Sequence, residues 1–355
     1  MNALRQLYFL SLVLFFSCAE TAQEEETIDW EFLDPISNSH YRGLYKANDA
    51  TLWLSGTDGF VARSIDSGKT WEGDYIAGAR GKDLRDIHGF DDQRAVVLSI
   101  ADSARFYTTS LAGGRWDLVY ENYRDGIFFD GMDFWADGEG LAFGDPINGR
   151  MFLAKSKDYG LSWTDYFPVS IPESIATEGG FAASGTSILC IEDSIVLVGF
   201  GAVSDIRLFR SADRGANWEA ISMPLKIGDS YGIYTMALNA NGEIFATGGS
   251  FKEPEMMDSI TAFSSDKGKT WQTLNTNPPS GYRSGLAFHP SLPIGIAVGT
   301  NGSDISIDGG KSWIRFSEHG FNSVVIGSDY AIAVGSRGKM ARLDLKHWIE
   351  SIKAN

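Results

Sequence analysis

The stretch SIDSGKTW, residues 64–71, gathers a hydroxyl, a carboxylate and a glycine into one short segment, the inventory of a phosphate loop or a metal turn. The same word returns as SKDYGLSW from Ser156, SADRGANW from Ser211, SSDKGKTW from Ser264 and SIDGGKSW from Ser306. A degraded copy, TSLAGGRW, starts at Thr109 and carries Leu111 in the aspartate's place. A catalytic loop is not needed six times. Repetition at intervals of roughly 40 to 55 residues marks a solenoid, a propeller or an array, so the repeat has to be placed before any motif is read as chemistry.

The segments around the box read as short strands. Apolar runs ending in Gly or Ser recur as LWLSG at 52, AVVLS at 95, GLAFG at 140, IVLVG at 195, IFATG at 244, GIAVG at 295 and AIAVG at 331. Upstream of each lies an aligned segment: YRGLY at 41, LRDIH at 84, FFDGM at 128, FAASG at 181, YGIYT at 231, YRSGL at 282 and FNSVV at 321. A third strand, such as FVARS, leads into the box, and a fourth, such as WEGDY or WIRFS, leaves it. Four strands in each of seven units predict an all-β, seven-bladed β-propeller over residues 28–346, with 347–355 as a C-terminal tail. The seventh unit has no box, while TIDWEFLD at 27–34 reads as an orphaned post-box strand whose Trp30 matches the box tryptophans. The N-terminal strand is therefore expected to complete the last blade.

Within that frame the boxes are latches. The aspartate carboxylate can accept hydrogen bonds from backbone N–H groups of its own turn, and glycine supplies the positive φ that a Cβ resists. Asp66, Asp158, Asp213, Asp266 and Asp308 are thus assigned structural work. The tryptophan brings roughly 200 Å2 of surface to pack between sheets.

The word SxDxGxxW resembles the Asp-box, or BNR repeat, of sialidases and many non-sialidase propellers. The longer phrases LRDIHGFDD, FFDGMDFW, GLAFGDPINGR, GGFAASGTS, GYRSGLAFHP and GTNGSDISIDGGKSW resemble the bacterial branch of proteins similar to the photosystem II stability and assembly factor. That resemblance implies a seven-bladed, exported propeller that binds a protein partner rather than catalysing a reaction. Nothing in the sequence indicates a photosynthetic host.

Composition narrows the partners. A formal charge of −16 argues against nucleic acid, whose binding depends on Lys and Arg neutralising phosphates, and favours a self-repelling, monomeric surface. Arg5, the apolar LYFLSLVLFF and then Ser17-Cys18 resemble a lipoprotein signal, predicting a signal peptide over 1–17 and lipidation at Cys18. The segment 18–27 reads as an acidic tether, and the expected location is the bacterial outer membrane, reached only through the lipid anchor. Cys190, in SILCIED, reads as a small hydrophobe.

The innermost strand of each blade lines a propeller's channel. The residue after the leading aromatic or leucine is Arg42, Arg85, Asp130, Ala182, Gly232, Arg283 and Asn322 in turn. Arg42, Arg85 and Arg283 are expected to converge at one channel end, with Asp86, Asp130 and Asp145 in reach; guanidinium forks suit carboxylate or phosphate. Two readings stand: an anionic docking patch for a partner, or arginines paired with Asp83, Asp86 and Asp130 that glue blades together. The resemblance to sialidases implies a glycosidase or glycan-binding alternative with Asp86, Asp130 and Tyr282 as its chemistry and Tyr41 and Tyr231 nearby. Against it, the FRIP-type phrase is missing. Five dispersed histidines, no CxxC, no GxxxxGK[ST] and no GxSxG leave no metal, no cofactor and no nucleotide expected.

Overall fold

In the computed structural model, which describes residues 28–100 and 103–354, seven four-stranded antiparallel sheets follow one another around a ring. Six take their strands in chain order from the channel outwards, beginning with Tyr41–Lys46, Leu52–Gly56, Phe60–Ser64 and Glu72–Tyr75 in the first blade. The seventh is closed by both ends of the chain. Glu31–Phe32 pairs antiparallel with Met340–Asp344, outside Tyr330–Val334 and Ser323–Ile326, with Glu31 opposite Arg342 and Phe32 opposite Ala341. Trp30 is buried beside this strand, its indole N–H donating to Ser303 Oγ at 3.0 Å and its ring 5.2 Å from that of Phe321. The expected clasp is present. The signal peptide, the acidic tether and Cys18 lie outside the described residues.

The intact boxes share one geometry. In the first, Ser64 Oγ donates to Asp66 Oδ1 (2.8 Å) and accepts from the N–H of Gly68 (2.9 Å), while Asp66 accepts from the N–H and the hydroxyl of Thr70 (2.9 and 2.6 Å). The pattern repeats around Asp158, Asp213, Asp266 and Asp308. The box glycine sits where a side chain would strike the second strand of the preceding blade: Ile332 against Gly68, Val96 against Gly160, Leu197 against Gly268 and Phe245 against Gly310. A positive φ and a close approach together require glycine there. The degraded turn keeps only Thr109 Oγ1 accepting from Leu111 and Gly113 at 3.3 Å, and Leu111 is exposed. Most of the cores lie between adjacent blades, as where Trp218 of the fourth packs with Leu141 and Phe143 of the third.

One expectation changes. FAASG is not the innermost strand of the fourth blade; Ile188–Ile191 is, pairing Ile188 with Val198 through Ile191 with Ile195. Residues 179–186 are rich in Gly and Ala, which offer a ladder neither apolar alternation nor β-branched side chains, and they run as irregular chain. The C-terminal tail carries the helix Lys346–Ala354, whose Ile349, Trp348 and Ile352 pack on the last-blade core.

Strand alternation defines two faces. Innermost strands start, and second strands end, at the face where the blades are joined. The first hairpin turns and the boxes sit at the other, as shown by Ser67 Oγ donating to the Asp49 carbonyl at 2.9 Å.

Candidate channel-mouth site

At the joining face the innermost strands carry register shifts: between Tyr41 and Leu44, Leu84 and Asp86, Phe129 and Gly131, and Ile233 and Thr235. Bulges of this kind leave a residue out of the ladder and re-aim its side chain. The residues so released are Arg42 with Gly43, Arg85, Asp130 and Tyr234. A repeated backbone irregularity thus presents two guanidiniums, a carboxyl and a phenol to the channel.

Arg42 and Arg85 line a cavity of about 330 Å3 together with Phe181, Tyr234, Phe251 and Tyr282. Arg85 donates from Nε to Asp83 Oδ2 (2.7 Å) and from Nη1 to the Ala182 carbonyl (2.9 Å). Arg42 has only a long bond to the Ala183 carbonyl (3.4 Å) and, among the described residues, no carboxylate within ion-pair distance. Burial and the neighbouring Arg85 charge lower the Arg42 pKa. The rings form a wall: Phe181 stacks on Tyr234 with centroids 3.8 Å apart, and Tyr282 stands edge-on to Tyr234 at 4.9 Å. Burial pushes the Tyr282 phenol up to about 12, so it is a neutral donor at physiological pH.

Arg283 is not in this cavity. In the sixth blade the ladder begins with Gly285 opposite Val298, and Ser284 takes the place before it. Arg283 is one step off, and in a strand one step reverses the face. It is fully buried, with Nε donating to Asp304 Oδ2 at 2.6 Å and Nη1 to Asn301 Oδ1 and the Tyr282 carbonyl at 2.7 Å each, so its guanidinium is tied up within its own blade. Asn322 bridges the last blade to the first by donating from Nδ2 to the Tyr41 carbonyl at 2.8 Å.

The acids lie beneath the cavity rather than in its wall. Asp86 accepts from the N–H groups of Ile87 (2.8 Å) and Met132 (2.7 Å), and burial raises its pKa to about 7. Asp130 is fully buried and no well-aligned hydrogen bond reaches either carboxyl oxygen; burial, then the Asp145 charge, holds its pKa well above the usual range, with the Ala182 backbone and the Arg85 charge offsetting this only in part. Asp145, raised by burial, accepts from the N–H of Gly180 at 2.9 Å. Tyr41 packs in the core against Phe60. Tyr231 donates to Glu253 Oε2 at 2.5 Å, a tyrosine–glutamate pair that spacing did not reveal, but burial pushes its phenol up to about 12, away from what a nucleophile needs. Among the described residues no His/Cys/Asp/Glu group is arranged to hold a metal.

The column of first-strand residues located Arg42, Arg85 and Asp130. It missed Tyr234, because YGIYT was aligned two residues early: Gly232 pairs with Gly249 and the bulge falls at Tyr234. Phe181, Phe251 and Thr300 come from loops with no periodic signal.

Fold and mouth define the class, a seven-bladed β-propeller. No protein-family model and no curated protein sequence matches the chain. Among solved structures it is similar to YCF48 bound to a D1 peptide, with a TM-score of 0.61 and 16% identity over 89% of this chain and 96% of that one. YCF48 from Cyanidioschyzon merolae gives 0.62 and 14% over 89% and 99%. The GH74 enzyme of Niastella koreensis gives 0.61 and 12% over 87% of this chain and 53% of that one. At these identities the likeness shows the fold alone.

Proposed function

We propose that this chain is an exported, lipid-anchored propeller that holds a protein partner at the channel mouth, through an acidic group of the partner set on Arg42 and Arg85. The observation that carries this reading is Arg42: a half-buried guanidinium with no carboxylate partner among the described residues, beside a second guanidinium and an aromatic wall. In a chain of net charge −16 this cavity is lined by two guanidiniums and no carboxylate, which favours a carboxylate-bearing segment. The similar propeller bound to a D1 peptide supports a protein partner for this architecture. Export and lipidation rest on the sequence around Cys18.

The test is co-purification from native membranes with mass spectrometry, using the wild type and the double substitution Arg42→Ala, Arg85→Ala. The double variant should keep its melting temperature and lose the partner; capture undiminished at an intact melting curve would remove the arginines from the interface. A glycan-binding reading has the Phe181–Tyr234–Tyr282 wall in its favour, but Asp86 and Asp130, sealed from the cavity, supply it no acid. Turnover of any member of a fluorogenic glycoside panel would reverse that preference.

A further inference from the structure

Residues 180–186 cross the channel mouth as a strap that touches five of the seven blades. Its carbonyls at Ala182 and Ala183 accept from Arg85 of the second blade and Arg42 of the first. The Gly180 N–H donates to Asp145 of the third, and Phe181 stacks on Tyr234 of the fifth. Ser184 Oγ donates to the Ser284 carbonyl of the sixth at 2.6 Å, and Thr186 Oγ1 donates to Thr235 Oγ1 at 2.7 Å.

None of these contacts is a continuous ladder, whereas both roots are firm. On one side Glu178 pairs with Arg207, and Gly179 exchanges two backbone hydrogen bonds with Gly201 (3.0 and 2.9 Å). On the other, the Ser187 carbonyl accepts from Gly199 and the strand Ile188–Ile191 begins. Glycines sit at both bends, Gly179 and Gly180 before, Gly185 after, the last with φ +80°. Beneath the strap two carboxyls are sealed: a side chain at Gly180 would strike Asp130, and one at Gly185 would strike Asp86. Asp130 is left without a well-aligned partner, an expense of burial that lifting the strap would relieve by admitting water. The strap therefore rests on the two arginines through one short carbonyl bond (Arg85, 2.9 Å) and one long one (Arg42, 3.4 Å), both replaceable by a carboxylate, over a carboxyl that gains from its departure.

The geometry points to the strap as a built-in plug: its two carbonyls occupy the guanidiniums that the partner's acidic group takes, and binding lifts residues 180–186 out of the mouth. This rests on the proposed anionic mouth and adds that the site is closed until the strap is displaced. A site competent only part of the time shows a correspondingly weakened apparent affinity, and loosening the plug restores it.

The probe is an N-acetylated Glu-Phe dipeptide, whose carboxylates suit the guanidiniums and whose ring suits the place on Tyr234 that Phe181 vacates. Its binding to the full chain is measured by calorimetry, and exchange of residues 180–186 by hydrogen-exchange mass spectrometry. Gly185→Ala, strained by its positive φ and the clash with Asp86, should expel the strap and tighten binding by at least about tenfold. Ser184→Ala, which deletes the hydroxyl bond to the Ser284 carbonyl and the contact with Thr186 Oγ1 inside the strap, should tighten it by about threefold and is not expected to disturb folding. In the wild type, saturating probe should speed exchange within 180–186. Slower exchange on binding, or unchanged affinity in both variants, overturns the plug and leaves the mouth standing. No binding by wild type and variants alike, with the strap freely exchanging in Gly185→Ala, removes the anionic mouth and the plug with it.

Discussion

At the box face, Asp66 and its four counterparts accept hydrogen bonds from a serine hydroxyl, turn N–H groups and, in most copies, a second hydroxyl; in the channel, Asp86 accepts two backbone bonds and Asp130 no well-aligned one. The same side chain, carried by the same blades, is held ionised in one place and pushed towards neutrality in the other. Asp266 is held at about 2 by the backbone N–H and then the hydroxyl of Thr270, while burial drives Asp86 to about 7. The difference teaches that repetition here reports stabilisation, and departure from repetition reports the mouth.

The two sets also tilt stability in opposite directions with pH. A carboxylate with a depressed folded pKa contributes stability that is present above about pH 4 and lost as pH falls through the folded value, about 2 for Asp266. A carboxyl with a raised folded pKa is protonated in the fold while the unfolded chain ionises, so stability declines as pH climbs from about 4 towards about 7 for Asp86.

The comparison is broken most severely by opening the ring on which both faces depend. Deleting residues 28–34 removes Trp30 and the outer strand of the last blade; loss of a buried tryptophan alone costs about 3–5 kcal/mol, and the melting temperature should fall markedly. An unchanged value would sink the clasp. Next, Asp213→Ala strips a latch of its acceptor and should lower the denaturation free energy by about 1–3 kcal/mol. Asp130→Asn should behave oppositely, gaining stability relative to the wild type as pH rises, because burial raises the folded-state carboxyl above the range in which the unfolded chain ionises; an equal loss in both variants would erase the distinction between the faces. The smallest effect is a repair. Leu111→Asp restores an acceptor to the degraded box and should raise stability by about 0.5–1 kcal/mol in chemical denaturation.

The blades were legible because box and glycine-ended strand recur together, and the clasp because Trp30 repeats the box tryptophan without its box. The mouth was legible only in part. A bulge inserts one residue and so reverses the side-chain face, yet it leaves no trace in a pattern of period two. That is why Arg42 and Arg85 fell in the channel column correctly while Arg283 did not, and why Tyr234 was overlooked. FAASG was read as a strand by its position ahead of IVLVG, although ILCI, with its branched side chains, makes the ladder.

The clasp also fixes an orientation. The strand Glu31–Phe32 runs antiparallel to Met340–Asp344, so the chain enters it from the box face and leaves it towards the joining face, where the first blade begins. The residues just before Trp30 therefore meet the ring at the box face, on the side opposite the opening ringed by Arg42, Arg85 and Tyr234, so the latches and the mouth occupy opposite ends of the ring.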